Sequence, residues 1–207
     1  MIRFKMFPLV ALLLLPVTAP AQQERGPVEI VRETTNELFK LVDQNREKYE
    51  DDVEALRDAI RPVLLAEVDT QYSGRLVLGR SARGMENAKV EEFADALSEL
   101  LIRRYADGLL DFRTRDQVDI MPLAGDNTER MTRVKTRVTL ENGEQAPVDY
   151  VFRKTGDGWK IFDVIVEGIS YVTTFRNQIG EQIRQEGFDT MLEELKRGEI
   201  EIDVDEQ

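Results

Sequence analysis

The apolar residues of this chain change their spacing near Asp116, and that change limits the fold more than any single motif does. Upstream they recur every three to four residues; downstream they alternate. Between Pro27 and Asp43, Val28, Val31, Leu38 and Val42 fall on one helical face with Phe39 beside it, and Pro27 suits a first turn. Asp51-Asp52-Val53-Glu54 opens a second helix with an acidic cap and first turn. Its stripe is Val53, Leu56, Ile60 and Val63/Leu64, and Pro62 is expected to kink or end it. A third, longer helix starts near Asn87, with Val90, Phe93, Leu97, Leu100/Leu101 and Tyr105 along one side. Glu91 and Glu92 come early and Arg103 and Arg104 late, as the helix dipole favours.

Beyond Asp116, Val118 and Ile120 alternate with Gln117, Asp119 and Met121. Val134, Thr136, Val138 and Leu140 then alternate with Arg133, Lys135, Arg137 and Thr139. One apolar face and one basic face describe a half-buried antiparallel strand. Asn142-Gly143 is a hairpin turn into a strand from Ala146 to Lys154, with Val148, Tyr150 and Phe152 on one side. Gly156-Asp157-Gly158 turns again into Trp159–Val166, which completes an expected four-stranded antiparallel meander. Ser170 then caps a helix bearing Val172, Phe175, Ile179 and Ile183. Thr190-x-x-Glu193 reads as the capping box of a last short helix with Leu192 and Leu195, and Gly198 ends it. Helices, then a sheet, then helices again make an α+β fold.

Composition removes much of common enzymology. The chain has no cysteine, hence no disulfide, thiolate metal site or cysteine nucleophile. It has no histidine, hence no serine–histidine triad and no imidazole metal ligand. An apolar share of 42% supports one core of ordinary size. The start Met1-Ile2-Arg3-Phe4-Lys5, the apolar run from Met6 to Leu15 and Ala19-Pro20-Ala21 follow the plan of a secretory leader cut after Ala21. That run is about half of the roughly 20 residues a membrane span needs. The expected organisation is a leader over 1–21, one domain over 22–198 and an acidic tail over 199–207. The net charge of −12 becomes more acidic still when Arg3 and Lys5 leave with the leader. Such a chain is a poor partner for nucleic acid and is repelled by anionic lipid surfaces.

Few side chains are placed for chemistry. Asp163 interrupts Ile161-Phe162-Asp163-Val164-Ile165-Val166, a strand otherwise apolar in both phases and therefore expected to be central. A carboxylate there either has a structural partner, such as an arginine, or resists ionisation and serves as a general base in a cavity. Glu167 shares its face but lies about 13 Å away at strand rise, beyond the ~5–9.5 Å of a glycosidase couple. The acidic stretches 43–52 and 203–206 lack the spacing of a calcium loop and read as solvated charge. The basic strand face of Arg133, Lys135 and Arg137 is either solvent surface or a docking patch for an acidic partner.

Several segments together carry a resemblance: Leu76-Val77-Leu78-Gly79-Arg80, then Phe93, Leu100-Leu101-x-x-x-Tyr105-Ala106 and Val148-Asp149-Tyr150. The most specific is the run Trp159-Lys160-Ile161-Phe162-Asp163-Val164-Ile165-Val166-Glu167-Gly168-Ile169-Ser170, followed by Phe175-Arg176 and Gly187-Phe188-Asp189. The sequence resembles the MlaC-like periplasmic phospholipid-carrier family of the Mla pathway, also called the toluene-tolerance auxiliary family. It departs from the family pattern at Ser81 and Ala82, where an aromatic pair is usual. The resemblance implies a monomeric carrier in the periplasm with phospholipid as cargo and no catalysis, metal or other cofactor. The carrier would maintain outer-membrane lipid asymmetry. Its implied partners are the outer-membrane lipoprotein–porin complex and the MCE-domain component of the inner-membrane Mla ABC transporter.

The fold the resemblance implies is a curved four-stranded sheet with helices enclosing an apolar cavity, an NTF2-like cone. Candidate cavity residues are Val134, Val138, Leu140, Val148, Tyr150 and Phe152 from the sheet, with Leu97, Leu101, Tyr105, Val172 and Phe175 from helices. Arg176 is the candidate for the head group, or else a partner for Asp163 or Glu167. Two other readings stand beside the carrier. One is a cavity enzyme that uses Asp163 with Tyr105 or Tyr150 in acid–base work; the other is an envelope adaptor with a tightly packed core and no ligand.

Overall fold

Gly26 and Pro27 open the first helix, α1 (Pro27–Gln44), in a computed structural model that describes residues 24–125, 127–140 and 142–200. The expected leader and most of the expected tail lie outside those residues. A break at Asn45 separates α1 from a short helix, α2 (Arg46–Asp51), whose Tyr49 is buried. The Arg46 guanidinium donates to the carbonyls of Leu110 (2.7 Å) and Phe112 (2.8 Å), which ties this corner to the chain that follows the long helix. In α3 (Val53–Leu65), the Asp52 side chain accepts from the Ala55 N–H at 3.0 Å, as a capping acid should. Pro62 does not end α3 where it stands: the helix runs three residues further, to Leu65, and then stops.

A helix that the apolar spacing does not announce, α4 (Thr70–Leu78), follows. Asp69 caps it through the Tyr72 N–H (3.1 Å), but nine residues with a central glycine carry too little periodicity to announce a helix. The long helix is α5 (Asn87–Tyr105), and the chain ends with α6 (Tyr171–Glu186) and α7 (Phe188–Arg197). Ser170 caps α6 as expected, accepting from the Thr173 N–H at 3.1 Å. Thr190 and Glu193 form no capping box, since α7 already begins at Phe188. Gly187, at a φ of 87°, reverses the chain there directly after α6. Gly198 ends α7 in the left-handed conformation.

The sheet runs in sequence order, with β1 (Val118–Ile120), β2 (Met131–Thr139), β3 (Gln145–Thr155), β4 (Gly158–Val166) and β5 (Ile169–Ser170) all antiparallel. The four expected strands are present. The fifth is a two-residue strand folded back on Ile165 and Val166 by a turn at Glu167 (φ 52°) and Gly168 (φ 88°). β4 is therefore next to the short edge strand rather than central, and it is half-buried along its length. Its edge near Ile161 is covered by the α3–α4 connection. Ile161 N–H donates to Glu67 O, Asp69 N–H donates to Ile161 O (both 2.8 Å), and Ser73 Oγ donates to Phe162 O at 2.8 Å.

Among the described residues the interior is divided into three apolar clusters. α4, α5, α6 and α7 meet around Val77, Phe93, Phe175, Ile179 and Met191. The C-terminal half of α1 packs with α2, α3 and the end of α5 around Val42, Tyr49, Leu56, Ile60 and Ile102. The N-terminal half of α1 lies on the sheet, where Ile30 and Val31 cover Val134 and Phe152. Within the first cluster, α4 and α5 approach so closely that a Cβ on Gly74 would sit 2.9 Å from the Ala94 Cβ. A Gly→Ala change inside a helix ordinarily gains up to about 1 kcal/mol of propensity. Here the clash decides the sign, and Gly74→Ala is expected to lose about 1–2 kcal/mol in urea unfolding. In the double variant with Ala94→Gly the loss is expected to fall short of the sum of the two single changes by about 1 kcal/mol, the coupling typical of residues in contact.

Candidate functional site

The seams between these clusters are where empty volume collects. A cavity of about 170 Å³ lies between α4, α5, α6 and β4. Val77 of α4, Leu97 and Leu101 of α5, Ile161 and Val164 of β4, and Val172 and Phe175 of α6 supply its apolar wall, with Gly74 and Ala94 at the close helix contact. Two serines on the wall are turned onto backbone. Ser73 Oγ is within hydrogen-bond distance of Asp69 O and Phe162 O, and Ser98 Oγ donates to Ala94 O at 2.7 Å. Their carbon faces are left toward the cavity, so it presents almost no hydrogen-bonding demand to a ligand.

Asp163 also borders this cavity, and both its oxygens are occupied. Oδ2 accepts from Ser170 Oγ at 2.7 Å and Oδ1 from the Val172 N–H at 3.0 Å. Its partner is thus the first turn of α6 and not an arginine, a placement that suits a carboxylate because helix N-termini carry unpaired N–H groups. Sequence spacing alone did not show that Ser170 both caps α6 and holds Asp163. Along the same side, the Tyr171 ring stacks between Tyr105 (5.9 Å between centroids) and Phe175 (5.5 Å).

A second cavity, about 120 Å³, lies between α1 and the sheet. Leu38, Phe39 and Val42 form one wall, Val118, Val138 and Tyr150 the other, and Leu109 and Phe112 close it. Tyr150 lies deep, and burial raises its pKa above the ordinary tyrosine value. An engineered apolar cavity of about 150 Å³ accepts one benzene, so each of these cavities matches a fragment of an acyl chain.

The residues singled out from sequence are therefore divided among several places. Leu97, Leu101, Val172 and Phe175 converge on the first cavity, while Val138 and Tyr150 face the second. Val134 and Phe152 are fully buried under α1, and Val148 is half-buried on β3. Leu140, at the end of β2, is 41% exposed, and Tyr105, 37% exposed, borders the first cavity through Tyr171. Arg176 is exposed. Its stem lies against Gly79 and its Nε donates to Leu76 O at 2.5 Å, which satisfies a carbonyl at the end of α4 rather than Asp163 or Glu167. Wall residues not among the sequence candidates include Val77 of α4, which gave no periodic signal, Leu38, Phe39 and Val42 of α1, which read as ordinary core, Ile161 and Val164 of β4, and Leu109, Phe112 and Val118.

On the opposite sheet face, Arg133, Lys135 and Arg137 are exposed along grooves bordered by Met121, Pro122, Ala124, Gly125 and Asn127. Arg133 pairs with Asp149 at 3.4 Å, whereas Lys135 and Arg137 make no ion pair among the described residues. None of the described helices is long and apolar enough to cross a membrane.

Two predictions test these local arguments. Asp163→Ala removes two hydrogen bonds to a charged acceptor and should cost about 2–4 kcal/mol in urea unfolding. Tyr150 should ionise only above the pH at which the exposed tyrosines do. With its folded pKa above its unfolded one, the folded state holds the proton longer, so its stabilising contribution is full below about pH 10 and is lost as pH rises further. Tyr150→Phe should flatten that alkaline decline in unfolding free energy.

Comparison with known proteins bears on this arrangement. Residues 32–197 match the MlaC protein family. The chain is 27% identical over 188 residues to the intermembrane phospholipid transport system binding protein MlaC of Haemophilus influenzae, covering 87% of this chain and 86% of the other. It is 29% identical over 182 residues to the toluene tolerance protein ttg2D of Pseudomonas putida, covering 87% and 83%. Its fold is shared with the phospholipid-binding protein of Ralstonia solanacearum, whose structure was determined in complex with a phospholipid. The TM-score is 0.72 at 20% identity, over 82% of this chain and 94% of that one. With the family matched across nearly all the described helices and the whole sheet, this chain belongs to the MlaC family.

Proposed function

We propose that this protein is a phospholipid carrier, and the observation that carries the reading is the first cavity, whose wall is mostly apolar side chains and whose Ser73 and Ser98 hydroxyls are spent on backbone. Two acyl chains of about 16 carbons expose roughly 30 methylenes, each costing about 0.8 kcal/mol in water, so a gross cost of about 24 kcal/mol opposes free diffusion of the lipid. A carrier needs only to match the bilayer, itself apolar, to within a few kcal/mol. Transfer then runs in either direction, with docking partners setting the net flow.

The mature chain begins at Gln22 and acts in the periplasm, with residues 22–198 as the lipid-binding domain. Its partners are the inner-membrane Mla ABC transporter, through the MCE-domain component, and the outer-membrane lipoprotein–porin complex. An acidic carrier suits this arrangement, since repulsion from anionic lipid leaves docking on proteins as its route to cargo. The acid–base enzyme reading requires a free carboxylate facing a phenol. Asp163 has both oxygens engaged, Tyr150 lies on the other cavity and Tyr105 is on the surface, which favours the carrier.

Native mass spectrometry of the mature protein from bacterial periplasm, with lipid extraction from the same sample, tests the reading. Co-purifying phospholipid near one per protein is expected. A lipid-free protein that also takes no lipid from vesicles would sink it. Leu101→Trp should fill part of the first cavity and displace about two methylenes of cargo, worth about 1.6 kcal/mol. Lipid affinity should fall about tenfold with an unchanged far-UV spectrum.

A further inference from the structure

One stretch of this acidic chain is nearly free of acids. Between Thr70 and Val90 the only carboxylate is Glu86, against Arg75, Arg80, Arg83 and Lys89, in a chain whose net charge is −12. Lys89 pairs with Asp189 of α7 at 2.9 Å, whereas the three arginines form no ion pair among the described residues. Tertiary structure adds a fourth. Gly79 turns the chain at the end of α4 with a φ of 55°, a conformation that favours glycine, into a 3₁₀ turn, Gly79–Ala82, that meets α6. The Arg176 stem of α6 lies against Gly79, and its Nε is spent on Leu76 O. The Arg83 N–H returns to Arg80 O at 3.2 Å, which closes one turn between those two arginines. Arg75, whose carbonyl accepts the Gly79 N–H, gives its guanidinium to a neutral partner, Asn87 Oδ1, at 2.5 Å. Arg80, Arg83 and Arg176 are exposed and Arg75 is half-buried.

The basic sheet face is not equivalent. Arg133 pairs with Asp149, Lys135 is directly opposed to that same Asp149, and Arg137 is opposed to Asp119. Each of those cations thus has a carboxylate on a neighbouring strand, within the reach of a cross-strand pair. Nor does the helix dipole account for the arginine cluster. It favours Arg75 and Arg176 at the carbonyl end of α4, but Arg80 and Arg83 stand beyond that end. Gathering like charges without counter-charges costs stability and favours association with an opposite charge.

We propose that this arginine face, formed by the end of α4, the 3₁₀ turn and the start of α6, is where an acidic face of a partner protein docks. Guanidinium forks match carboxylates in pairs. A bilayer is an extended plane that meets the net negative charge of the whole molecule. A protein face of the patch's own size meets the arginines alone, since charges beyond about 8 Å are screened in physiological salt. The proposal rests on the carrier reading for its partners. α4 and α6 also supply Val77, Val172 and Phe175 to the first cavity, so a partner seated on their ends sits beside the cargo.

Biolayer interferometry tests it, with the mature protein offered to the inner-membrane transporter complex and to the outer-membrane lipoprotein–porin complex, each in detergent. Wild type is compared with the double variants Arg80→Glu/Arg83→Glu and Lys135→Glu/Arg137→Glu, whose far-UV spectra check the fold. Arg80→Gln/Arg83→Gln serves if the charge reversal does not fold. The first pair should slow association with at least one complex about tenfold at low salt while dissociation changes little, and the difference should vanish near ~0.5 M salt. The sheet-face pair should keep the wild-type rate. Unchanged association in the folded Arg80/Arg83 variants overturns the proposal, and so does a loss confined to the sheet-face pair. Arginine-dependent binding to phosphatidylglycerol–phosphatidylethanolamine vesicles in place of either complex overturns the protein partner. Wild type that docks on neither complex overturns the face whatever lipid it carries. A lipid-free wild type that still docks through the arginines overturns the carrier reading alone.

Discussion

Asp163 takes one hydrogen bond from Ser170 and one from the Val172 N–H, and through them a strand of the sheet holds the first turn of α6. Because Ser170 also caps the helix through Thr173, the same few atoms stop β5, start α6 and set its direction over β4. Val172 and Phe175, in the first and second turns of α6, then reach the first cavity only because that direction is set. A carboxylate in an apolar strand would be a cost without this arrangement. With two donors at a helix N-terminus it becomes the anchor on which the helical layer depends.

A parallel device holds the other side. Asp69 caps α4 and receives the Arg153 guanidinium at 2.6 Å, and that guanidinium lies 4.1 Å from the centroid of the Tyr72 ring. Tyr72 in turn meets Phe162 of β4 edge-on, at 5.3 Å. α4 and α6 are thus each pinned to β4 by polar contacts at their first turns, while their apolar faces pack on α5 and α7. Fixing helices by their ends lets the middle of the interface stand open, which is how a cavity survives inside a folded domain that otherwise packs tightly.

The charge distribution serves association more than stability. Many of the described cations sit in surface ion pairs, such as Arg61 with Glu99 and Lys196 with Glu92, and pairs of that kind are worth little individually. Lys135 and Arg137 stand apart from that pattern on the sheet face opposite α1, in a chain whose net charge is −12.

The α+β order, the long helices, the four main strands and the turns at Asn142-Gly143 and Gly156–Gly158 were legible in the sequence because each depends on neighbours a few residues apart. The period of apolar positions and the backbone freedom of glycine act locally, and the chain obeys them. The chemistry excluded by the lack of cysteine and histidine is likewise a property of composition. α4 and α7's true start were less legible, since the caps at Asp69 and Gly187 outweighed weak periodicity and an attractive Thr190–Glu193 pair. Division of the apolar residues into filled core and cavity wall was decided only by tertiary structure. Val134 and Tyr150 are both apolar-face residues of adjacent strands, yet one is sealed by α1 and the other borders empty space. That difference depends on where α1 crosses the sheet and where Asp163 fixes α6, contacts between residues distant in the chain whose geometry no local pattern encodes.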